Sequence, residues 1–213
     1  MTEVFQIFNA SNYTYSIYCL PTFLITALSL ALGLTVFTRE RGSFISFLFL
    51  TITLCTAVWL FSFSWMYCAN KEAVALLWAK GAYLGIPFLP AATYHFTTST
   101  LQINRPRKTY AWAAWTVSFI FSIGALFSNL LVSSVYKYWW GYYPLYGWLG
   151  IPFLTYFAAI ILACLYLYFS EYLKTNPGVV KKRIGAFLLA FIIAYLGSVD
   201  YLPKYKINIY PFG

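Results

Sequence analysis

Long apolar runs alternate with short polar clusters along the whole chain, a pattern typical of helices that cross a membrane. One crossing needs about 20 consecutive, mostly apolar residues. Six runs reach this length, and charged or turn-forming residues separate them. They predict helices at about residues 17–38, 43–67, 73–101, 109–134, 149–174 and 180–203. We therefore predict an all-α fold, a polytopic membrane bundle of six transmembrane helices that forms a single domain over residues 1–213.

The composition excludes an ordinary soluble domain. Of the 213 residues, 62% are hydrophobic and only 9% are charged, whereas a soluble domain needs roughly 25% charged residues to cover its surface. The net charge of +9 does not indicate nucleic acid, because the basic residues lie in short clusters between the apolar runs. We expect membrane lipids and an unknown small-molecule or membrane-derived signal as partners. A homodimer or another membrane protein is a further expected partner, and no nucleic acid is expected.

The distribution of lysine and arginine predicts the orientation of the bundle. Nine basic residues fall in the first, third and fifth connections, namely Arg39, Arg41, Arg105, Arg107, Lys108, Lys174, Lys181, Lys182 and Arg183. Four fall on the opposite side, namely Lys71, Lys137, Lys204 and Lys206. The positive-inside rule puts the larger set in the cytoplasm, so both termini are predicted to lie outside the cell (inner, cytoplasmic) membrane. The N-terminus carries Glu3 and no basic residue, which favours a retained first helix over a cleaved signal peptide.

The third predicted helix contains the stretch "WAKGAYLGIPFLPAATYHF", residues 78–96, with a lysine about seven residues from its outer end. An ionisable residue within a bilayer is costly unless it snorkels, pairs or faces the bundle interior. Lys80 is therefore predicted either to snorkel to the interface or to pair with Asp200, near the outer end of the sixth helix. An outward-facing pocket for a polar or anionic ligand between these two residues would extend the second alternative.

The same stretch holds two prolines and a glycine at its centre. Pro87 and Pro90 each remove a backbone donor and crowd the preceding turn, so a kink is predicted near residues 83–87. Gly85 adds conformational freedom and allows close packing. Pro87, Pro90 and Gly85 are the candidate hinge, and a static kink is the equal alternative.

The single histidine, His95, lies in the inner half of the third helix, ~22 Å along the axis from Lys80. The two residues cannot form one site. His95 is predicted to be a hydrogen-bonded interior residue, with proton sensing as the sharper alternative because the ordinary imidazole pKa is near 6.5.

The connection at residues 133–152 is dense in aromatic residues. Tryptophan and tyrosine accumulate at membrane interfaces because each has an apolar body and a polar edge. The alternative is a lid whose rings close over an apolar or aromatic ligand. The candidate ligand-binding residues of the chain are Lys80, Tyr83, Trp139, Trp140, Tyr143 and Asp200.

The four cysteines show no metal-binding spacing. Cys55 and Cys164 fall within helices and are predicted to be packing residues. Cys19 and Cys68 fall near the ends of successive helices on the same outer side, so a disulfide is one alternative there. No Ser/His/Asp set, HExxH, P-loop or GxGxxG occurs, so we expect no catalytic residue, metal or cofactor, and no enzyme activity in this chain.

Two segments carry a resemblance to a known family. The third span, "LWAKGAYLGIPFLPAATYHF", resembles the third helix of the N-terminal seven-helix region of bacterial sensor histidine kinases. The segment "GSVDYLPKYKINIYPFG" resembles the lead-in to that family's seventh helix. The resemblance implies a membrane-embedded input domain that precedes a cytoplasmic kinase, or a related output such as a diguanylate cyclase, often through a PAS or GAF module. The sequence stops before a seventh helix, so either six helices are the whole protein or it is a fragment.

Three function hypotheses follow. The first is a sensory input module of a two-component system, in which a bound signal changes the packing of the helices. The second is a small transporter or pore, which should show a continuous polar path or an internal repeat. The third is a non-catalytic structural subunit of a membrane complex.

Overall fold

The computed structural model describes residues 4–211, apart from the side chains of Val4, Asn104 and Arg105. The predictions on Glu3, on the Arg105 side chain and on the last two residues lie outside the described part. The elements are α1 (Cys19–Arg39), α2 (Phe44–Cys68), α3 (Glu72–Ala82), α4 (Phe88–Thr100), α5 (Asn104–Phe127), β1 (Val132–Tyr138), β2 (Gly141–Tyr146), α6 (Gly150–Lys174) and α7 (Val179–Leu196). Short 3-10 helices flank them at Val4–Phe8, Ala10–Asn12 and Gly197–Tyr205.

The chain is mostly helical, as its long apolar runs predict. Within the described residues, five helices are long and apolar enough to cross a membrane: Cys19–Arg39, Phe44–Cys68, Pro106–Phe127, Gly150–Lys174 and Val179–Tyr205. Local signals set several of their ends. The Ser43 hydroxyl accepts a hydrogen bond from the Ser46 N–H and so caps α2. Before it, Arg41 and Gly42 adopt positive φ angles in the tight turn that follows α1.

The structure corrects the sequence-based prediction at three places. The third helix is not continuous over 73–101, because it breaks into α3 and α4 at residues 83–87. The fourth helix ends at Phe127 rather than at residue 134. The all-α prediction was wrong for the connection that follows, since β1 and β2 pair there as an antiparallel hairpin.

The two ends of the bundle differ. At one end, which we call the cap end, the N-terminal segment, the α2–α3 connection, the hairpin and the C-terminal 3-10 helix pack together. Backbone hydrogen bonds tie these segments, from Thr14 N–H to the Cys68 carbonyl (2.9 Å) and from Asn70 N–H to the Asn12 carbonyl (2.8 Å). At the opposite end, which we call the loop end, α1–α2, α4–α5 and α6–α7 are joined by short turns. The larger buried cluster of the described residues lies at the cap end.

Candidate functional site

The break between α3 and α4 lies in the middle of the bundle, where the prolines predict it. Its backbone makes tight-turn hydrogen bonds, such as Gly85 N–H to the Ala82 carbonyl (3.0 Å) and Phe88 N–H to the Gly85 carbonyl (3.0 Å). Pro87 directly precedes α4, and Pro90 lies in the first turn of α4. A helix does not use the N–H groups of its first turn internally, so proline costs little there. The prolines therefore mark the start of a new helix.

Gly85 brings this break into contact with α2. A Cβ atom at position 85 would collide with the carbonyl oxygen of Cys55, which belongs to the backbone of α2. Backbone cannot move aside as a flexible side chain can. Glycine is therefore required at this position by the close approach of α2.

The hairpin forms a compact lid over the cap end. Trp139 and Trp140 make its two-residue turn, and Gly141 follows with a φ of +138°. The two tryptophan side chains differ in exposure. Trp140 is 1% exposed and stacks on the Tyr138 ring with centroids 4.4 Å apart, whereas Trp139 is 62% exposed.

The C-terminal 3-10 helix, Gly197–Tyr205, lies against the hairpin and is held by two tyrosines. In a 3-10 helix the N–H of residue i bonds to the carbonyl of residue i−3, and Pro203 has no N–H to give the Asp200 carbonyl. The Tyr143 hydroxyl donates to that carbonyl instead, at 2.7 Å. The Tyr138 hydroxyl donates to the Pro203 carbonyl, also at 2.7 Å. Burial raises the pKa of Tyr143 well above its ordinary value, so the phenol keeps its proton and remains a donor.

Lys204 lies at the centre of this end and is only 2% exposed. Its Nζ atom donates to the hydroxyls of Tyr146 (3.1 Å) and Tyr83 (3.3 Å). Aromatic rings surround it, with centroid distances of 4.6 Å to Tyr201, 4.7 Å to Tyr146, 5.6 Å to Tyr83 and 5.9 Å to Phe63. Ring faces attract a desolvated cation by up to about 2 kcal/mol each, which offsets part of the cost of burial. We call Lys204, Phe63, Tyr83, Tyr146 and Tyr201 the lysine cage.

Asp200 completes the charge balance of the cage. It is 6% exposed and interacts electrostatically with Lys204 from the same 3-10 helix. A buried charge is tolerated when an opposite charge and hydrogen bonds compensate it. Through its contacts with Phe63, Tyr83 and Tyr146, Lys204 holds the C-terminal 3-10 helix against α2, the end of α3 and β2.

Tyr83 connects the lysine cage to the helix break. It is fully buried and directly follows Ala82, the last residue of α3. Its hydroxyl accepts from Lys204, while its carbonyl accepts from the Ser122 hydroxyl of α5 at 2.9 Å. The first residue of the break is therefore held by groups of α5 and of the C-terminal 3-10 helix.

A cavity of about 350 Å³ lies next to the cage and the break. Its lining is mostly apolar, and it includes Trp59, Leu89, Pro90, Phe157, Phe191 and Tyr201. Tyr201 belongs to both the cavity wall and the lysine cage, and Leu89 and Pro90 belong to the first turn of α4. An apolar cavity of this size suits a small apolar ligand.

The predicted site residues fall into two groups. Tyr83, Trp140, Tyr143 and Asp200 come together in the buried part of the cap end. Lys80 and Trp139 lie at its margin. The Lys80 Nζ donates to the Asn129 side chain, an amide of the α5–β1 connection, at 2.9 Å. Snorkelling of Lys80 and its pairing with Asp200 both stay predictions.

His95 lies far from this site, towards the loop end. Its Nδ1 accepts a hydrogen bond from the Trp115 indole N–H at 3.3 Å, and its ring meets the Phe44 ring edge-on with centroids 5.2 Å apart. These contacts join α4 to α5 and to the start of α2. They fit the interior, hydrogen-bonded interpretation, and proton sensing by His95 stays a prediction.

Sequence reasoning missed Lys204, Phe63, Tyr146 and Tyr201. Lys204 was assigned to a loop outside the membrane because the sixth predicted helix ends at residue 203. A signal was present, since Asp200 and Lys204 are four residues apart and such a pair meets on one face of a helix. No sequence signal links Phe63 or Tyr146 to them, because these contacts exist only after the hairpin folds onto the bundle.

Comparison with known proteins identifies the family. No curated protein and no solved structure matches the chain. The family model described as the N-terminal 7TM region of histidine kinase matches residues 21–213. The match covers most of the chain, including α3, α4, the hairpin and the C-terminal 3-10 helix, and it bears out the resemblance seen in the third span. The chain therefore belongs to the family of N-terminal seven-transmembrane regions of histidine kinases, which are membrane sensor regions.

Proposed function

We propose that the chain is a sensory input domain that crosses the cytoplasmic membrane six times, with its N-terminus outside. Family membership supports a membrane sensor. In this arrangement α3 and α4 together form one crossing, so the cap end faces outwards and the loop end faces the cytoplasm. The excess of basic residues at the loop end supports this orientation. The absence of catalysis in this chain stays a prediction.

The proposed signal is a small apolar or aromatic molecule that binds beneath the hairpin. The cavity beside Tyr201 and Pro90 supplies mostly apolar walls. In this proposal the site is closed on the cap side by four buried residues, Tyr83, Trp140, Tyr143 and Asp200. Lys80 and Trp139 lie at the margin and would contact the ligand as it enters. Membrane lipids surround the bundle, and a homodimer or another membrane protein would receive the output.

Transmission rests on one observation, the dual position of Tyr83. This residue contacts Lys204 in the cage and also begins the break between α3 and α4. A ligand that moves the C-terminal 3-10 helix or the hairpin would therefore shift the start of α4. Such a ligand changes the population of two packing states only if it binds them with different affinity. Gly85, Pro87 and Pro90 form the hinge in this proposal.

Cysteine labelling tests the orientation. In a cysteine-free background, Lys137→Cys places a thiol in the hairpin and Gly178→Cys places one in the α6–α7 turn. A membrane-impermeant maleimide should label Lys137→Cys in intact cells, and Gly178→Cys only after lysis. The reverse pattern, or labelling of both in intact cells, would exclude this orientation.

Photocrosslinking tests the ligand site. A benzophenone amino acid replaces Phe157, which lines the cavity, and in a matched control replaces Phe119, which is 58% exposed on α5. After irradiation in cells, mass spectrometry should find a distinct adduct at position 157 beside the lipid adducts of position 119. Identical lipid adducts at both positions would contradict a dedicated signal site.

A further inference from the structure

We propose that Cys19 and Cys68 are a reversible disulfide site that fastens the cap ends of α1 and α2 together. Cys19 is the first residue of α1, and Cys68 is the last residue of α2. The two helices run antiparallel from a tight turn at the loop end, so these residues meet at the cap end. Both residues belong to one buried cluster of the cap end, and both are free thiols in this structure. This site goes beyond the proposed function and concerns neither the cavity nor the lysine cage.

The other two cysteines lie in different surroundings. Cys55 lies in the middle of α2, where its carbonyl oxygen faces Gly85. Cys164 belongs to a small buried cluster with Tyr94, Ala111 and Leu167. Among the four cysteines, which all fall in the described residues, Cys19 and Cys68 are the pair placed for a bond.

The surroundings of the pair control access to it. The N-terminal segment covers it, held by the hydrogen bond from Thr14 N–H to the Cys68 carbonyl. Cys68 is 8% exposed and Cys19 is 2% exposed, so Cys68 is the more accessible thiol. Local opening of the terminal segment gives a reagent access.

The reaction requires an oxidised partner, which we take to be an organic disulfide. The Cys68 thiolate attacks one sulfur of that disulfide, forms a mixed disulfide and releases the other half as a thiolate. The Cys19 thiolate then attacks the Cys68 sulfur and expels the second half. One S–S bond forms within the chain and one breaks in the partner, so two electrons pass to the partner and its two sulfurs take up the two protons. In the orientation proposed above, the pair faces the oxidising side of the membrane.

The bond would make α1 and α2 a rigid unit. The turn at the loop end and the disulfide at the cap end would close the helical hairpin at both ends. The break between α3 and α4 packs on α2 through Gly85, so the oxidised unit gives the hinge a fixed support.

Thiol counting on the purified full chain tests the site. A variant with Cys55→Ser and Cys164→Ser keeps only the proposed pair. After incubation with glutathione disulfide and unfolding in detergent, a maleimide polymer should label neither remaining thiol, whereas both are labelled after reduction. Mass spectrometry should find one peptide pair joined through Cys19 and Cys68, with no glutathione attached.

A matched variant with Cys19→Ser and Cys68→Ser keeps the other two cysteines, and we expect both to stay labelled under the same conditions. Persistence of two labelled thiols in the first variant would overturn the proposal. Stable glutathione adducts or links between two chains would also overturn it. If the serine variants do not fold, the joined peptide is sought in the wild-type chain, and its absence there has the same meaning.

Discussion

The cap end and the loop end of the bundle are built in different ways. At the cap end, the N-terminal segment, the α2–α3 connection, the hairpin and the C-terminal 3-10 helix pack together, and nearly all the largest fully buried side chains of the described residues lie there or in the adjoining break. At the loop end, the described helices join through short turns, and the second buried cluster has only four members, Tyr94, Ala111, Cys164 and Leu167. We infer that tertiary contacts specify the cap end, whereas the membrane and local helix signals specify the loop end.

The largest expected effect concerns the two adjacent tryptophans of the hairpin turn. Trp140→Ala removes a ring that is 1% exposed and stacked on Tyr138. Replacing a fully buried tryptophan by alanine lowers the free energy of unfolding by about 3–5 kcal/mol. Trp139→Ala is the matched control, because this ring is 62% exposed. Thermal unfolding in detergent should show a large drop in midpoint for Trp140→Ala and a small one for Trp139→Ala, and equal drops would show that the cap is not a packed unit.

The next effect concerns the break between α3 and α4, which lies between the two ends of the bundle. Gly85→Ala forces a methyl group against the Cys55 carbonyl of α2, and such overpacking costs about 1–3 kcal/mol. Gly81→Ala is the control, since its Cβ atom would meet the Ser62 hydroxyl at an ordinary 3.7 Å and a helical alanine gains about 0.5–1 kcal/mol over glycine. The two variants should therefore shift the unfolding midpoint in opposite directions. A shift of the same sign would disprove the close approach of the break to α2.

A smaller effect is expected where the hairpin holds the C-terminal 3-10 helix. Tyr143→Phe leaves the buried Asp200 carbonyl without the donor that Pro203 cannot supply. An unsatisfied buried acceptor costs about 1–3 kcal/mol. Tyr142→Phe, on the neighbouring half-buried residue, is the control and should be nearly neutral. Unfolding curves of both variants check the prediction, and a neutral Tyr143→Phe would remove the tyrosine from its holding role.

The smallest effect belongs to the loop end. His95→Leu and Trp115→Phe each remove the same hydrogen bond between α4 and α5. A double-mutant cycle should give a coupling energy of about 0.5–1.5 kcal/mol, the net contribution of one hydrogen bond. Strictly additive losses would mean that His95 and Trp115 do not interact. A coupling above that range would give the loop end a specific polar centre and weaken the contrast with the cap end.

The sequence predicts those parts of the fold that depend on one segment at a time. The bounds of α1, α2 and α6 and the start of α7 follow from apolar length and flanking charge, and the break at residues 83–87 follows from its two prolines. The prediction was wrong for the end of α7, which lies at Leu196 rather than at residue 203 because a 3-10 helix begins at Gly197. The hairpin at residues 132–146 was missed, because its aromatic content also suits a membrane interface. The alternation of β-branched and aromatic residues in "VSSVYKYWWGYYPLY" was the available strand signal.

The candidate site was less predictable, because its contacts join distant segments. Lys80 and Lys204 both fall near the outer ends of predicted helices, and the four-residue spacing between Asp200 and Lys204 was the one local sign of which lysine accompanies Asp200. The choice depends on the hairpin, whose Tyr146 accepts from Lys204, and on Asn129, which accepts from Lys80. Tyr83 was identified as a candidate from its position in the third span, but its contact with Lys204 required the folded cap.

The central claim is that the lysine cage controls the break between α3 and α4, and hydrogen exchange measures this coupling directly. The backbone amides of Leu84, Gly85, Ile86, Phe88 and Leu89 are compared in the wild type, in Lys204→Met and in the control Lys206→Met, whose lysine is exposed. Lys204→Met removes the contact with Tyr83, so we predict faster exchange at these amides than in the wild type. Lys206→Met should leave them unchanged. Unchanged exchange in a folded Lys204→Met, or equal acceleration in both variants, would contradict the account.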